Sequence, residues 1–476
     1  MKSQTAFAAN DIYALAFGLF LGLCILKFGD PVILDQKISP PANLSEFWND
    51  SWPTHWANWI FLPFAMAGAI VLLSSPWPRL RFPKSLFFLP LLWLGWQFVS
   101  ATQTVDASLT ATTLWQFFGC VASYFIGVLI INNPRRFHFL LAGVSVAFAI
   151  CLISAIRQHI EFPQDAKFLL EGQRSSWTNL PLQTVLEMKR DQTIITTNGV
   201  DIVNPAILAK FQKNRVMGTM VYPNALAEIV LLLFPVAFVL ALRHTQKLRP
   251  IVRGAAVAVT LALAAAAFFW SGSKFGWLIA IAIGALYLFR LSWPLKLKIA
   301  ALSTIAVLGL GIFAIRFHHY FANGATSAVA RLDYWRAAVQ TTVSHPGFGT
   351  GPGTFQRPYA KLKAPDAEMA RLAHNDYLEQ FSDSGFPGGL LYCLWIAVAL
   401  AVIANNARKS RDPVQFALFL GLLGWFIQEF GEFGLFIPAS AWTAFTLLGY
   451  GLSAYGLDSN IEHRTSNTER RNADYR

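Results

Sequence analysis

The sequence predicts an all-α, polytopic integral membrane protein with about twelve transmembrane helices. Of its 476 residues, 55% are hydrophobic and only 13% are charged, which is a composition typical of membrane proteins. Many apolar runs approach the roughly 20 residues that a helix needs to cross a bilayer. Short loops rich in Lys and Arg separate these runs and contribute to the net charge of +12. This charge therefore indicates orientation in a membrane and not nucleic-acid binding.

The apolar runs define the predicted spans. Their cores are 12–26, 56–73, 86–101, 113–131, 137–156, 224–241, 254–270, 275–289, 298–315, 388–404, 413–428 and 438–455. The two runs on either side of 271–274 are short and could form one broken helix pair. The first run follows Lys2 and has no small-residue cleavage site, so we interpret it as a retained span.

Basic residues occupy alternate loops between the spans. They are Arg79, Arg81 and Lys84; Arg135 and Arg136; Arg243, Lys247, Arg249 and Arg253; Arg290, Lys296 and Lys298; and Arg408, Lys409 and Arg411. The opposite short loops carry Asp106, Glu429 and Glu432 instead. Because positively charged loops stay in the cytoplasm, both termini are predicted to be cytoplasmic. The expected location is the bacterial inner (plasma) membrane.

Three long segments, 27–55, 157–222 and 316–387, fall on the other, periplasmic side. Long loops in a compact protein often carry function. We therefore predict one transmembrane domain over residues 1–456 that includes the partly helical periplasmic loops 157–222 and 316–387. Residues 457–476 are polar and are predicted to form a disordered cytoplasmic tail. The four cysteines fall within spans and lack metal-ligand spacing: Cys24, Cys120, Cys151 and Cys393.

A polar stretch at 371–388 is the strongest candidate for a functional site, because apolar runs flank the long loop that contains it. Pro365 suits the first position of a helix, and Asp366 and Glu368 suit its first turn. This predicts that His374 projects from the middle of a short helix at the mouth of the bundle. Gly385 is expected to cap that helix, and the proline at 387 prevents its continuation.

A glycine-rich stretch at 347–355 precedes this segment. Before it, Arg331 and Trp335 share one face of a predicted helix. Glycines such as Gly349 and Gly351 let backbone N–H groups approach an anion closely and cradle a phosphate. The alternative interpretation is a tight re-entrant loop at the membrane surface.

Two further basic residues face the same side of the membrane. Arg215 begins the stretch 215–227, and a planar guanidinium suits a diphosphate because it donates in pairs. Lys274 lies in the short loop 271–276. The alternative for Arg215 is an ordinary arginine at the membrane interface. The alternative for Lys274 is a lysine at a helix end whose charged group extends towards water.

The pair His374-Asn375, followed by Gly385 and Gly388, resembles the signature of the O-antigen ligase and polymerase family. The glycine-rich motif after Arg331, and Arg215 followed by Pro-Asn-Ala, are also similar to that family, so the resemblance covers about 215–400. It implies a GT-C-like membrane glycosyltransferase that acts in polysaccharide or lipopolysaccharide biosynthesis of the cell envelope. Two positions depart from the family pattern, with Lys274 in place of a common arginine and Asp383 in place of a common glutamate.

The resemblance implies an inverting, metal-independent transfer of a glycan from undecaprenyl diphosphate to a hydroxyl, without a cofactor. His374 would be the general base. The residues that would bind substrate are Arg215, Lys274, Arg331, Asn375, Gly349 and Gly351. Glu429 and Glu432 could assist the base or bind sugar, since acidic residues near a bilayer are functional candidates. They are expected to sit in solvent, however, and are left outside this catalytic set.

The acceptor is left open by the sequence. A lipid A core, a growing glycan and a protein side chain all require the same base and the same cations, so ligase, polymerase and protein O-oligosaccharyltransferase remain alternatives. A transporter or flippase for a lipid-linked sugar is an alternative of another class. It would place charged residues in the middle of the spans.

We expect position 374 to lie outside the cytoplasm, because the basic loops lie inside. A single cysteine at 374, in a background without the native cysteines, should react in intact cells with a thiol reagent that cannot cross the inner membrane. The matched control is a cysteine at 247 in a basic loop, which should react only after the membrane is opened. The reverse pattern would invert the predicted topology.

Overall fold

The structure is a computed structural model that describes residues 9–74, 82–322, 326–365 and 367–453. It is mostly helical, as predicted. Its helices are α1 (Ala9–Lys27), α2 (Leu44–Asn49), α3 (Thr54–Leu73), α4 (Ser85–Ala101), α5 (Ala107–Leu129), α6 (Pro134–Arg174), α7 (Leu182–Arg190), α8 (Pro205–Lys213), α9 (Pro223–His244), α10 (Pro250–Ser271), α11 (Lys274–Arg290), α12 (Leu295–Ala322), α13 (Thr326–Ser344), α14 (Gln356–Leu362), α15 (Asp376–Lys409), α16 (Pro413–Gln428) and α17 (Pro438–Ser453). Short 3-10 helices span Val32–Lys37 and Gly434–Phe436.

Each predicted span coincides with a helix. Within the described residues, eight helices are long and apolar enough to cross a membrane, namely α1, α3, α5, α6, α9, α10, α12 and α15. The remaining spans fall on α4, α11, α16 and α17, which are only 16 or 17 residues long. The polytopic helical class is therefore confirmed, and the number of twelve crossings stays a prediction.

Contacts between loops group several of the basic connections at one end of the bundle. These contacts are Arg135 Nη2 to Asp11 Oδ2 at 3.1 Å, the His138 and His244 rings at 6.1 Å, Arg243 Nη2 to Asp412 Oδ1 at 3.0 Å, and Arg290 Nη1 to the Arg408 carbonyl at 3.0 Å. The grouping agrees with the alternation read from the sequence. Arg79, Arg81 and the predicted tail 457–476 lie outside the described residues.

Helices in the bundle approach one another closely where glycines face a neighbouring backbone. A β carbon at Gly18 of α1 would lie 2.2 Å from the Leu140 carbonyl oxygen of α6. A β carbon at Gly127 of α5 would lie 2.2 Å from the Thr446 carbonyl oxygen of α17. Small residues at such crossings allow the backbone packing that holds membrane helices together.

The second long loop forms a small cap at the opposite end, built from the outer part of α6 together with α7 and α8. It also contains a hairpin of β1 (Ile194–Thr197) and β2 (Val200–Val203), paired antiparallel with Ile194 opposite Val203. This hairpin is a small local addition to the otherwise helical architecture that the sequence predicts. Its signal was present in the sequence, because Asn198 and Gly199 both have positive φ at the tight turn and β-branched residues flank them.

The helix predicted to start at Pro365 is not formed. Residues 363–365 and 367–375 are not helical, and Asp366 lies outside the described residues. Helix α15 begins instead at Asp376, because the Asn375 side chain accepts a hydrogen bond from the Leu378 N–H at 3.0 Å and caps it. The predicted end is confirmed, since Gly385 (φ 67°, ψ −174°) interrupts the helix before its second, apolar half.

The glycine-rich loop 347–355 packs against the part of α15 that precedes Gly385 and is hydrogen-bonded to it. The N–H of Gly351 donates to the Asp383 carbonyl at 2.8 Å, and the N–H of Gly353 donates to Asp383 Oδ2 at 2.6 Å. Gly349 has a φ of 67°, and a β carbon there would lie 2.3 Å from the Asp383 carbonyl carbon. These contacts favour the interpretation of a tight loop, whose glycines permit close packing on α15.

Gly349→Ala should destabilise the protein, because alanine in this left-handed conformation costs about 1–2 kcal/mol and its β carbon would overlap α15. The matched control is Gly347→Ala in the same loop, where a β carbon meets no atom within 4 Å. Thermal unfolding in detergent, followed by tryptophan fluorescence, measures both. Equal melting temperatures for the two variants would contradict the close packing of the loop on α15.

Candidate functional site

His374 lies in the turn just before α15, and not within a helix as predicted. Its φ is 50°, and its carbonyl accepts a hydrogen bond from the Trp335 indole at 3.3 Å. Its ring stacks on Tyr334 with centroids 5.9 Å apart and meets the edge of Phe433 at 4.7 Å. The side chain is 30% exposed, so an imidazole with a fixed orientation remains accessible.

A buried carboxylate lies beneath His374. The side chain of Glu432 is 4% exposed, and its Oε2 lies 3.4 Å from His374 Nδ1. Its other oxygen, Oε1, accepts hydrogen bonds from Arg331 Nη2 at 2.5 Å and from Asn224 Nδ2 at 2.6 Å. One carboxylate therefore joins α9, α13, the turn before α15 and the loop after α16.

Arg215 is connected to this carboxylate through Asn224. Its Nη2 donates to Asn224 Oδ1 at 2.8 Å, and its Nε donates to the Ser271 carbonyl at 2.8 Å. Burial lowers the pKa of the Arg215 guanidinium, Glu432 opposes that effect, and Arg331 and Arg316 add to it. Arg215 and Arg331 thus belong to one charged cluster, as the sequence predicted.

The segment that carries Arg215 is held by its neighbours. Gln158 of α6 accepts hydrogen bonds from the N–H groups of Met217 and Gly218 at 3.0 and 2.9 Å. The Val216 N–H donates to the Trp270 carbonyl of α10. The backbone that follows Arg215 is therefore held in place by two membrane helices, α6 and α10.

Lys274 joins the same cluster from the start of α11. Its Nζ lies 3.9 Å from the centroid of Tyr320 and 5.2 Å from that of Phe317. The positive charges of Arg215, Arg331 and Arg316 act unfavourably on its ammonium, and Glu432 acts favourably. Arg331 contacts Glu432 directly and Arg215 is joined to it through Asn224, while Lys274 lies within electrostatic range of both arginines and of the carboxylate. Such a concentration of cations favours binding of an additional anion.

The other predicted substrate-binding residues have structural partners. Asn375 caps α15, and the N–H groups of Gly349 and Gly351 already donate to the His345 and Asp383 carbonyls. Because these two N–H groups already have carbonyl acceptors, they are not available to a phosphate in this arrangement, and the phosphate cradle stays a prediction.

Glu429 and Glu432 are buried, which corrects the expectation that they sit in solvent. The loop after α16 folds inward and forms the 3-10 turn Gly434–Phe436, where the Gly434 N–H donates to Glu429 Oε2 at 2.6 Å. Burial raises the pKa of Glu429 well above its usual range, and Glu228 and Asp376 raise it further.

Sequence reasoning set Glu432 aside as a solvent-exposed residue and missed Asn224 and Arg316 as members of the cluster. Asn224 had a signal, because it follows the proline that starts α9 in the motif headed by Arg215. Arg316 and Glu432 lie in segments without a recognisable motif. Only the fold brings them beside Arg331.

One cavity borders His374, and an apolar groove lies farther along helices α9 and α11. A cavity of about 240 Å³ beside His374 is lined by polar and aromatic groups that include Tyr222, Tyr334, Phe433, Arg371 and Glu368. An apolar groove of about 310 Å³ runs between α9, α10, α11 and α16, and its lining includes Phe234, Phe268, Ile283 and Leu420. The first cavity suits a hydrophilic molecule, and the groove suits an apolar chain.

Comparison with protein families supports the resemblance read from the sequence. Residues 258–393 match the model of the O-antigen ligase family. The matched segment contains Lys274, Arg331 and His374, whereas Arg215 and Glu432 lie outside it. A comparison with curated proteins finds no match.

Proposed function

We propose that this protein transfers a glycan from an undecaprenyl diphosphate to an acceptor hydroxyl, with His374 as general base and Arg215, Lys274 and Arg331 as the diphosphate site. The family match supports glycosyl transfer of the O-antigen ligase or polymerase type. The observation that carries the finer proposal is the convergence of these cations beside an accessible imidazole. The proposed site faces the periplasm, with both termini in the cytoplasm of an inner-membrane protein.

The cations would bind the donor through its diphosphate. Arg331 and Arg215 present guanidinium groups that match phosphate oxygens in pairs, and Lys274 adds a point charge. Negative charge develops on the diphosphate as its bond to the anomeric carbon breaks. Cations already held in place stabilise this charge in the transition state.

The apolar groove gives the donor's lipid a place. Its walls are α9, α10, α11 and α16, and Lys274 begins α11 while Asn224 and Arg215 lie at the start of α9. A molecule with an anionic head and an apolar tail would therefore find both requirements along the same helices.

The polar cavity would bind the acceptor. Nδ1 of His374 is buried against Glu432, so the exposed part of the ring, which lines the cavity, includes the Nε2 side. The acceptor oxygen would attack the anomeric carbon as the carbon–oxygen bond to diphosphate breaks, and its proton would pass to His374 Nε2. A single displacement of this kind inverts the anomeric configuration.

Among the described residues, no three His, Cys, Asp or Glu side chains are grouped to hold a metal ion. We propose a transfer that uses neither a metal ion nor a cofactor.

A lipid A core, a growing glycan and a protein side chain would all be attacked through the same site. Deletion of the gene identifies the acceptor, because lipopolysaccharide, polysaccharide or glycoprotein should lose its glycan while the lipid-linked donor accumulates. The transporter alternative is not favoured. A transporter would place buried acidic residues in the middle of the spans. Here they lie near the starts of α9 and α15, at the His374 end of the bundle, and are Glu228, Asp376, Glu379 and Asp383.

Arg331→Ala should lower glycan transfer about 30- to 1000-fold, which corresponds to roughly 2–4 kcal/mol of lost transition-state stabilisation. Arg331→Lys should restore only part of the rate, because lysine lacks the planar fork. The matched control is Arg336→Ala on the same helix, whose side chain is exposed and contacts Asp333 at 3.5 Å. Purified variants are assayed with donor and acceptor from the deletion strain, and parental rates for Arg331→Ala would refute the diphosphate site.

His374→Gln should abolish turnover and leave donor binding largely intact, because glutamine keeps polarity but cannot accept a proton at neutral pH. Loss of a general base typically lowers rates about 100- to 10,000-fold. His345→Gln is the control, since that side chain is exposed and only its carbonyl holds the glycine-rich loop. Product formation by His374→Gln would exclude His374 as the base, and inhibition by a chelator would reveal a metal requirement.

A further inference from the structure

We propose that Glu432 is a positioning residue that couples donor binding to the activation of His374. This inference rests on the proposed function and adds a role for a carboxylate that neither binds the donor nor accepts the acceptor's proton. In the unliganded site Glu432 neutralises Arg331. When a diphosphate binds the Arg331 guanidinium in place of Glu432, the freed carboxylate becomes the hydrogen-bond partner of the His374 imidazole.

Glu432 has competing partners. Oε1 is bound to Arg331 and Asn224, whereas Oε2 lies 3.4 Å from His374 Nδ1. His374 Nδ1 is buried and makes no hydrogen bond within the described structure. The imidazole therefore has a carboxylate within reach, but that carboxylate is oriented towards the arginine.

The diphosphate of the donor and the Glu432 carboxylate compete for the Arg331 guanidinium. Arg331 Nη2 makes its ion pair with Glu432, and its side chain is only 21% exposed. A diphosphate carries more negative charge than one carboxylate and presents several oxygens, so it displaces Glu432 from Arg331. The displaced carboxylate is buried and requires another charged or hydrogen-bonded partner.

His374 is the residue best placed to become the new partner of the displaced Glu432 carboxylate. Tyr334 and Phe433 hold its ring, and Trp335 holds its carbonyl, so the imidazole is already oriented. A carboxylate that accepts the Nδ1–H fixes the tautomer with its lone pair on Nε2, towards the acceptor cavity. The same carboxylate stabilises the imidazolium that forms when the hydroxyl proton arrives.

Asn224 extends this coupling to the second arginine. Its amide accepts from Arg215 through Oδ1 and donates to Glu432 through Nδ2. A phosphate that engages Arg215 therefore also disturbs the hydrogen bond between Asn224 and Glu432. Both arginines of the donor site are therefore linked to the carboxylate that serves the base.

Glu432→Gln separates this role from a structural one. Glutamine nearly preserves the shape of glutamate and removes the charge that competes for Arg331. We expect undecaprenyl diphosphate to bind the purified variant at least as tightly as the parent, while kcat for transfer falls at least about tenfold. The control is Asp333→Asn, which removes an exposed carboxylate near Arg331 and should change neither quantity.

Glu432→Asp provides the conservative variant, because it keeps the charge on a shorter side chain. Its kcat should lie between those of the parent and Glu432→Gln, with unfolding temperatures measured for all three proteins. Weaker diphosphate binding by Glu432→Gln, an unchanged kcat, or an aspartate variant no more active than glutamine would each overturn the coupling. These outcomes leave the proposed function standing, since that depends on the loss of activity in His374→Gln.

Discussion

The burial of the Glu432 charge is the interaction on which the rest of the site depends. An isolated carboxylate at 4% exposure would be strongly unfavourable, and the bonds from Arg331 and Asn224 offset that penalty. The same negative charge lets several cations occupy a small volume without an external ligand. The carboxylate thus stabilises the cluster of cations that we propose as the donor site.

The glycine-rich loop has a supporting role that differs from the one its sequence suggests. Alternating glycines resemble an anion cradle, yet their N–H groups are bound to the His345 carbonyl and to Asp383. Asp383 is fully buried and lies on the short outer part of α15, before the break at Gly385. The loop therefore fixes the segment that follows His374, so its glycines act through backbone packing.

The predictable features were those determined by local chemistry or by the length of an apolar run. The apolar helices and the break at Gly385 follow from such patterns. The grouping of Arg215 and Arg331 was instead predicted from their common side of the membrane and from the family resemblance. The start of α15 was misplaced because a proline and two acidic residues favoured Pro365, whereas the side-chain cap of Asn375 prevailed. Local sequence could not show that the loop after α16 folds inward, since the burial of Glu429 and Glu432 depends on contacts with distant segments.

The 41-residue helix α6 has a mechanical consequence for the site. At 1.5 Å per residue it is about 60 Å long, roughly twice the thickness of a bilayer's hydrocarbon core. Gln158, near its middle, holds the backbone beside Arg215, while the cap packs on its outer part. A change in the tilt of this helix would therefore move the backbone beside Arg215 and the cap together. Because membrane helices tilt in response to bilayer thickness, we expect the geometry of the charged cluster to depend on the lipid composition around it.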